Sequence, residues 1–139
     1  MENAQKVVID VPCGTEYLKM IRDIISGILT KVCVDSEILS QIQVAVTESC
    51  SNIIKHTDID KVNQSYKVEF YLFEEIFRVM VNYNDMRFYP DCIGVPKLFE
   101  LKEGGLGVFI IKSYMDKVVY IKDEDSGEIC VIMEKELTQ

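Results

Sequence analysis

The sequence has little positive charge, a single histidine and no long apolar run. Its 139 residues include 15 Lys and Arg against 23 Asp and Glu, a net charge of −8. This argues against binding to a nucleic-acid backbone, since such binders usually carry a basic stripe. No apolar stretch approaches the ~20 residues that span a bilayer, and no basic segment and long apolar run mark a signal peptide at the N-terminus. We therefore expect a cytoplasmic protein without a membrane or nucleic-acid partner.

Cysteine catalysis also finds little support. The five cysteines are odd in number and form no CxxC pair, a pattern that predicts reduced thiols in a cytosolic protein. A cysteine nucleophile is usually activated by a neighbouring base, and His56 is the only histidine in the chain. Thiol catalysis is therefore disfavoured.

What is present indicates one globular domain over residues 1–139. The chain is 48% hydrophobic and 27% charged, and it is long enough to bury a core. Hydrophobic periodicity predicts strands and helices in a mixed order. The predicted elements are a strand at 5–11, helices at 14–32 and 36–56, a hairpin of strands at 66–74 and 76–84, a helix after "GGLG", and a second hairpin about "EDSG".

Capping residues and loops divide these elements. Thr15 is the expected N-cap of the first helix, and Asp35 or Ser36 that of the second. Loops are expected at 58–65 and 85–103, and a loop as long as the second is usually functional or disordered. The order β-α-α-β-β-loop-α-β-β predicts an α+β fold: a two-layer α/β sandwich whose mixed, mainly antiparallel sheet carries helices on one face.

The first candidate site is the segment "TESCSNIIKH", residues 47–56. Glu48 and Asn52 stand four residues apart and so share one face of a helix. Glu48 is suited to take a proton from a hydroxyl, and the Asn52 carbonyl oxygen is suited to Mg²⁺, which prefers oxygen ligands. We place Lys55 and His56 in the lining of the same site. Taken alone, the segment is better explained as an ordinary solvated polar stripe.

The second candidate site is the segment "KEGGLGVFIIKS". Gly104, Gly105 and Gly107 precede a helix, with Leu106 between the last two. Glycine allows positive φ and a close approach of backbone to ligand, and a helix N-terminus offers free N–H groups to phosphate. Alone, this is an ordinary loop-to-helix turn. Together the two segments describe a site for a nucleotide and Mg²⁺.

Two boxes of this sequence resemble a known family. The stretches "AVTESCSNIIKH" and "GGLGVFIIKSYMDKVVY" are similar to those of the bacterial anti-sigma-factor serine-protein kinases. These are small cytosolic members of the ATPase superfamily shared by gyrase and the sensor histidine kinases. The resemblance covers nearly the whole chain, in matching element order, and it implies a Bergerat-type ATP-binding fold.

The resemblance also implies partners and residue roles. It implies a sigma factor held inactive, an anti-sigma antagonist phosphorylated on serine or threonine, and a homodimer. The box glutamate, here Glu48, becomes the candidate base, and the asparagine, here Asn52, binds Mg²⁺ with ATP. The phosphate-binding role of the glycine box carries onto Gly104, Gly105 and Gly107.

One motif departs from the family. Its "DxGxGF" segment supplies an aspartate that accepts a hydrogen bond from the adenine amino group, and in the gapless alignment that aspartate becomes Tyr83. The two glycines become Asp85 and Arg87. A two-residue slip places Asp85 in the aspartate's role, but lengthens the strand. A lost charged hydrogen bond of roughly 1.5–3 kcal/mol weakens ATP binding about 10- to 150-fold.

Three functions follow from these patterns. The first is an anti-sigma-type regulator that phosphorylates its antagonist, favoured by Glu48, Asn52 and the glycine turn. The second is a binding module of the same fold with impaired nucleotide binding, favoured by Tyr83. The third, a fragment of a sensor histidine kinase, is disfavoured because no helical hairpin with a phosphoacceptor histidine precedes the domain.

Overall fold

The fold comes from a computed structural model that describes residues 4–56, 64–84 and 106–138. The helices in these ranges are α1 (Leu18–Leu29), α2 (Ser36–His56) and α3 (Leu106–Tyr114). The strands are β1 (Gln5–Pro12), β2 (Ser65–Phe73), β3 (Ile76–Asn84), β4 (Lys117–Lys122) and β5 (Glu128–Glu136). None of the helices in these ranges is long and apolar enough to cross a membrane.

The five strands form one open sheet in the order β1-β2-β3-β5-β4. Every pairing between these described strands is antiparallel. The predicted α+β sandwich, with a mainly antiparallel sheet, is therefore confirmed. The parallel pairing that a mixed sheet requires is not found among the strands that the structure describes.

Alternation along the strands sorts the sheet into two faces. On β2, every second residue from Tyr66 to Leu72 is buried, and β3 repeats the pattern from Phe77 to Val81. Successive side chains of a strand point to opposite faces, so these residues share one face. That face joins the buried residues of α1 and α2 in one core cluster. The helices therefore cover one face of the sheet, as the sequence predicts.

The two long helices bury the stripes that their periodicity predicts. On α1 these are Ile21, Ile25 and Leu29, spaced by four residues. On α2 the buried apolar residues are Ile38, Ile42, Ala45, Val46, Cys50 and Ile53. Residues at this spacing lie on one side of a helix. The polar residues of α2 are consequently left on its other sides.

One predicted helix start is wrong and the other is confirmed. Thr15 does not cap α1, because Thr15–Tyr17 form a turn of 3-10 helix and α1 begins at Leu18 without a side-chain cap. The chain turns sharply after β1, where the Cys13 amide donates to the Gln64 carbonyl at 2.9 Å. Residues 15–17 form a 3-10 turn directly after this point instead of beginning α1. Asp35 caps α2, since its Oδ1 accepts from the Glu37 amide at 3.0 Å.

Both predicted hairpins are present. Glu74, in the turn between β2 and β3, has a φ of 51°, and Gly127, before β5, has a φ of 76°. Glycine adopts this left-handed region readily, which explains its place in the second turn. The predicted loop at 85–103 lies outside the described residues, as does 57–63; β2 already begins at Ser65.

Candidate functional site

The site begins on the side of α2 that packs against α3. Glu48 and Asn52 lie one turn apart there, and both are half-buried. The buried apolar stripe of the helix, with Val46 and Ile53 on it, holds α2 against the sheet. Packing on one side of the helix thereby orients a carboxylate and an amide on another.

Gly107, the second residue of α3, lies directly against this pair. A β-carbon on Gly107 would stand 2.8 Å from Glu48 Oε2 and 3.5 Å from Asn52 Oδ1. The two sequence boxes, far apart in the chain, therefore meet at a point. Of the residues predicted for the site, the structure brings Glu48, Asn52 and Gly107 together.

The N-terminal turn of α3 gives this point its electrostatics. The first N–H groups of an α-helix have no partner within the helix, and the helix dipole places partial positive charge at the same end. The Glu48 and Asn52 oxygens stand beside that turn. The site thus combines hydrogen-bond donors for an anion with oxygen donors for a hard cation.

The remaining predicted residues are placed less closely. Leu106 begins α3 and is 66% exposed, and Lys55 is exposed in the last turn of α2, which ends at His56. No described contact joins either exposed side chain to Gly107. Gly104, Gly105 and Asp85 lie outside the described residues, so their assignment stays a prediction.

Tyr83 sits near the end of β3, away from the glycine turn in sequence. It pairs with Ile129 of β5 and packs against the hydrophobic core as a half-buried residue. Alternate residues of a strand point to the same face. Tyr83 follows Val79 and Val81 in this alternation, so it lies on the helix-covered face of the sheet. A bulky aromatic ring therefore occupies the position that the gapless alignment gives to the family's aspartate.

The expectation of positive φ is wrong for Gly107. Gly127 is the only glycine in the described residues with a positive φ, and Gly107 is part of a regular helix. No unusual backbone conformation therefore requires glycine at this position. The sequence predicts that the two segments share a site, but it carries no signal for the direct contact between Glu48 and Gly107.

The far end of α3 is fixed by residues to which the sequence analysis gave no role. Lys135 of β5 donates from Nζ to the Tyr114 carbonyl at 2.6 Å, and its Nζ also lies 3.8 Å from Asp116 Oδ1. The other Asp116 oxygen accepts from the Glu136 amide at 2.6 Å. These bonds hold the last turn of α3 on β5. The signal was available, since Asp116 lies in the second sequence box.

Beneath the polar pair, α2 packs into the apolar core. Cys50 lies between Glu48 and Asn52 in sequence and is fully buried. Burial raises the pKa of its thiol to about 12, so the thiol stays protonated at neutral pH and is a poor nucleophile. None of the four cysteines in the described part of the chain forms a disulfide bond.

With this geometry in view, residues 11–135 match the histidine kinase-like ATPase domain family. The match covers most of the chain, and the protein belongs to that family. The resemblance drawn from the two sequence boxes is therefore confirmed.

Similar proteins of known name are serine-protein kinases. The serine-protein kinase RsbW of Halalkalibacterium halodurans is 29% identical over 133 residues, covering 90% of this chain and 80% of the relative. The serine-protein kinase RsbW of Bacillus cereus is 26% identical over 132 residues, covering 89% of this chain and 82% of the relative.

Solved structures agree on the fold. The RsbU and RsbW domains of a Mycobacterium tuberculosis protein match with a TM-score of 0.71 at 12% identity, covering 97% of this chain and 33% of that one. A SiaB-SiaC complex from Pseudomonas aeruginosa matches with a TM-score of 0.64 at 12% identity, covering 93% of this chain and 88% of that one. At such identity these matches establish the architecture alone.

Proposed function

We propose that this protein is an anti-sigma-type regulator that binds ATP and Mg²⁺ and phosphorylates a serine or threonine of an antagonist protein. One observation carries the proposal: Glu48 and Asn52 of α2 lie against Gly107 in the first turn of α3. The names of the relatives from Halalkalibacterium and Bacillus support it, since both are serine-protein kinases.

The residues around Gly107 fit a magnesium-bound triphosphate. Glycine lets a ligand approach the backbone of this first turn closely, and the helix N-terminus suits phosphate. Asn52 Oδ1 is an oxygen donor of the kind that Mg²⁺ takes. We assign phosphate binding to Gly104, Gly105, Leu106 and Gly107, metal binding to Asn52, and the remaining lining of the site to Lys55, His56, Tyr83 and Asp85.

Glu48 is the proposed general base. Its carboxylate stands beside the first turn of α3, where it is placed to accept the proton of a partner's hydroxyl group. Bound ATP supplies the phosphoryl group that this hydroxyl receives. A positioned base of this kind typically contributes about 10²–10⁴ in rate.

The proposed partners are proteins in the cytoplasm. They are a sigma factor, its antagonist and a second copy of this chain. The net charge of −8 favours them over nucleic acid. The neighbour SiaB is itself seen in complex with SiaC.

Phosphate transfer tests the proposal directly. Purified protein is incubated with Mg-ATP labelled on the γ-phosphate and with the antagonist domain captured from its native cytosol. We expect label on one serine or threonine of the antagonist, located by mass spectrometry. Partner binding without any transfer, under conditions where nucleotide is bound, contradicts the kinase function.

Tyr83 favours a second candidate function, a binding module of the same fold that has lost most of its nucleotide affinity. The tyrosine packs on the core at the end of β3, where the gapless alignment calls for the aspartate that reads adenine. Calorimetric titration with Mg-ATP and Mg-ADP separates the two functions. Tight binding of either nucleotide favours the kinase, and no heat with either favours the module.

A further inference from the structure

Glycine at position 107 is not required by the backbone. Gly107 lies in regular helix, outside the left-handed region that favours glycine. Some other feature of the structure must therefore account for the missing side chain.

The neighbouring carboxylate supplies that feature. A methyl group on Gly107 would come within 2.8 Å of Glu48 Oε2, which is closer than nonbonded carbon and oxygen atoms pack. The Glu48 oxygen is the far end of a flexible side chain, so it gives way by rotation without disturbing either helix. An alanine at position 107 is thus compatible with the fold but incompatible with the observed position of Glu48.

We propose that Gly107 is a positioning residue for Glu48: by lacking a side chain, it admits the carboxylate to the first turn of α3 and so places the base. This inference rests on the proposed phosphotransfer function, and it adds a role that phosphate binding alone does not predict. Attraction between the carboxylate and the helix N-terminus holds the side chain there, and the absence of a β-carbon leaves it room.

The two roles of Gly107 predict different kinetics. If it only lets phosphate approach the backbone, a methyl group weakens nucleotide binding. If it also positions Glu48, a methyl group lowers kcat by more than any change in nucleotide affinity explains. A displacement of about 1 Å in a catalytic group can cost on the order of 100-fold in rate. We expect Gly107→Ala to lose about 10- to 100-fold in kcat at saturating Mg-ATP, whatever loss of Mg-ATP affinity accompanies it.

The experiment compares four proteins in transfer and binding assays: wild type, Gly107→Ala, Glu48→Gln and the double variant. The double variant should transfer phosphate no more slowly than Glu48→Gln, because the displaced group is already inactive as a base. Gly27→Ala is the matched control. Gly27 is exposed in α1, and a β-carbon there meets nothing within 4 Å, so this variant should transfer like wild type.

Two kinetic outcomes overturn the inference. One is a loss of rate in the double variant, relative to Glu48→Gln, as large as that between wild type and Gly107→Ala. The other is a loss of nucleotide affinity in Gly107→Ala that accounts for its whole loss of rate. Either result returns Gly107 to phosphate approach alone.

A spectroscopic measurement decides the contact without any activity. We expect Gly107→Ala to shift the side-chain carboxyl ¹³C resonance of Glu48, and Gly27→Ala to leave that resonance in place. A Glu48 resonance that does not move in Gly107→Ala overturns the inference whatever the kinetics show. A shifted resonance in a protein that transfers no phosphate leaves the contact standing while the proposed kinase function fails.

Discussion

The two ends of the candidate nucleotide site differ in how they are built. At the phosphate end, Glu48 and Asn52 of one helix lie against Gly107 of another, with polar atoms within 4 Å of the glycine's missing β-carbon. At the proposed adenine end, Tyr83 lies near the end of β3 and packs against the apolar core. The first end offers charge and hydrogen bonds, whereas the second offers an aromatic ring.

This difference teaches that the two halves of a nucleotide site need not change together. The phosphate end depends on the packing of α2 on α3, and the adenine end depends on how β3 finishes. A substitution at Tyr83 is therefore expected to alter adenine recognition, if adenine binds there, without moving Glu48 or Asn52. Three variants test whether the phosphate end is intact and the adenine end impaired, from the largest expected effect to the smallest, and a fourth tests the core beneath the phosphate end.

The largest effect is expected from Glu48→Gln. Glutamine keeps the shape of the side chain but cannot accept the hydroxyl proton, so phosphotransfer should fall by about 10²–10⁴. Binding of Mg-nucleotide and of the partner should remain largely intact. Single-turnover transfer and calorimetric titration measure the two separately. Equal transfer rates in wild type and variant would remove Glu48 from catalysis.

Tyr83→Asp is expected to repair the adenine end. If the gapless alignment holds, the new carboxylate accepts a hydrogen bond from the adenine amino group, worth roughly 1.5–3 kcal/mol, and ATP binds about 10- to 150-fold more tightly. The matched control is Tyr83→Asn, which has the same size but no charge. An unchanged affinity in Tyr83→Asp would instead assign the adenine contact to Asp85.

Asn52→Ala is expected to remove the metal-dependent part of nucleotide binding. Loss of the oxygen ligand destabilises Mg²⁺ between protein and phosphates. A loss of about 1.4 kcal/mol or more corresponds to at least a tenfold weaker Mg-ATP affinity. Titrations with Mg²⁺ and with EDTA provide the comparison, and the variant should bind equally in both. A magnesium dependence as strong as that of wild type would argue against Asn52 as the ligand.

The smallest effect concerns the contribution to stability of Cys50, in the apolar core beneath the phosphate end. Burial raises the pKa of Cys50 from 9.0 to about 12, so between these values the unfolded chain loses a proton that the folded chain keeps. Stability is fully present below pH 9 and declines as pH rises from 9 towards 12. At pH 10 the Cys50 contribution to this loss is about 1.4 kcal/mol.

Chemical denaturation at pH 8 and pH 10 measures this loss. Cys50→Ala should lose about 1.4 kcal/mol less than wild type over this interval. Cys33→Ala is the control, because Cys33 is exposed. Equal losses of stability in Cys50→Ala and wild type would indicate that the Cys50 thiol is open to water.

Much of the fold follows from local pattern. The buried stripe of α1, the alternation along β2 and β3, and the cap at Asp35 each depend on neighbours within a few residues, so periodicity predicts them. The start of α1 depends on something else. The residues from Thr15 form a 3-10 turn. This turn follows the hydrogen bond between Cys13 and Gln64, which joins segments distant in sequence.

Within the site, too, the sequence predicts which residues are present but not how they are placed. The sequence by itself determined the chemistry on offer: a carboxylate and an amide one helical turn apart, a glycine at a helix start, and a tyrosine in place of the family's aspartate. These depend only on residue type and spacing along one element.

The tertiary structure alone decided that Glu48 and Gly107 touch, and that the glycine is needed for room rather than for an unusual φ. It also anchored the far end of α3 through Lys135 and Asp116. Such contacts join separate elements across the core, and their distances result from the packing of whole helices on a sheet. No local pattern in the chain encodes them.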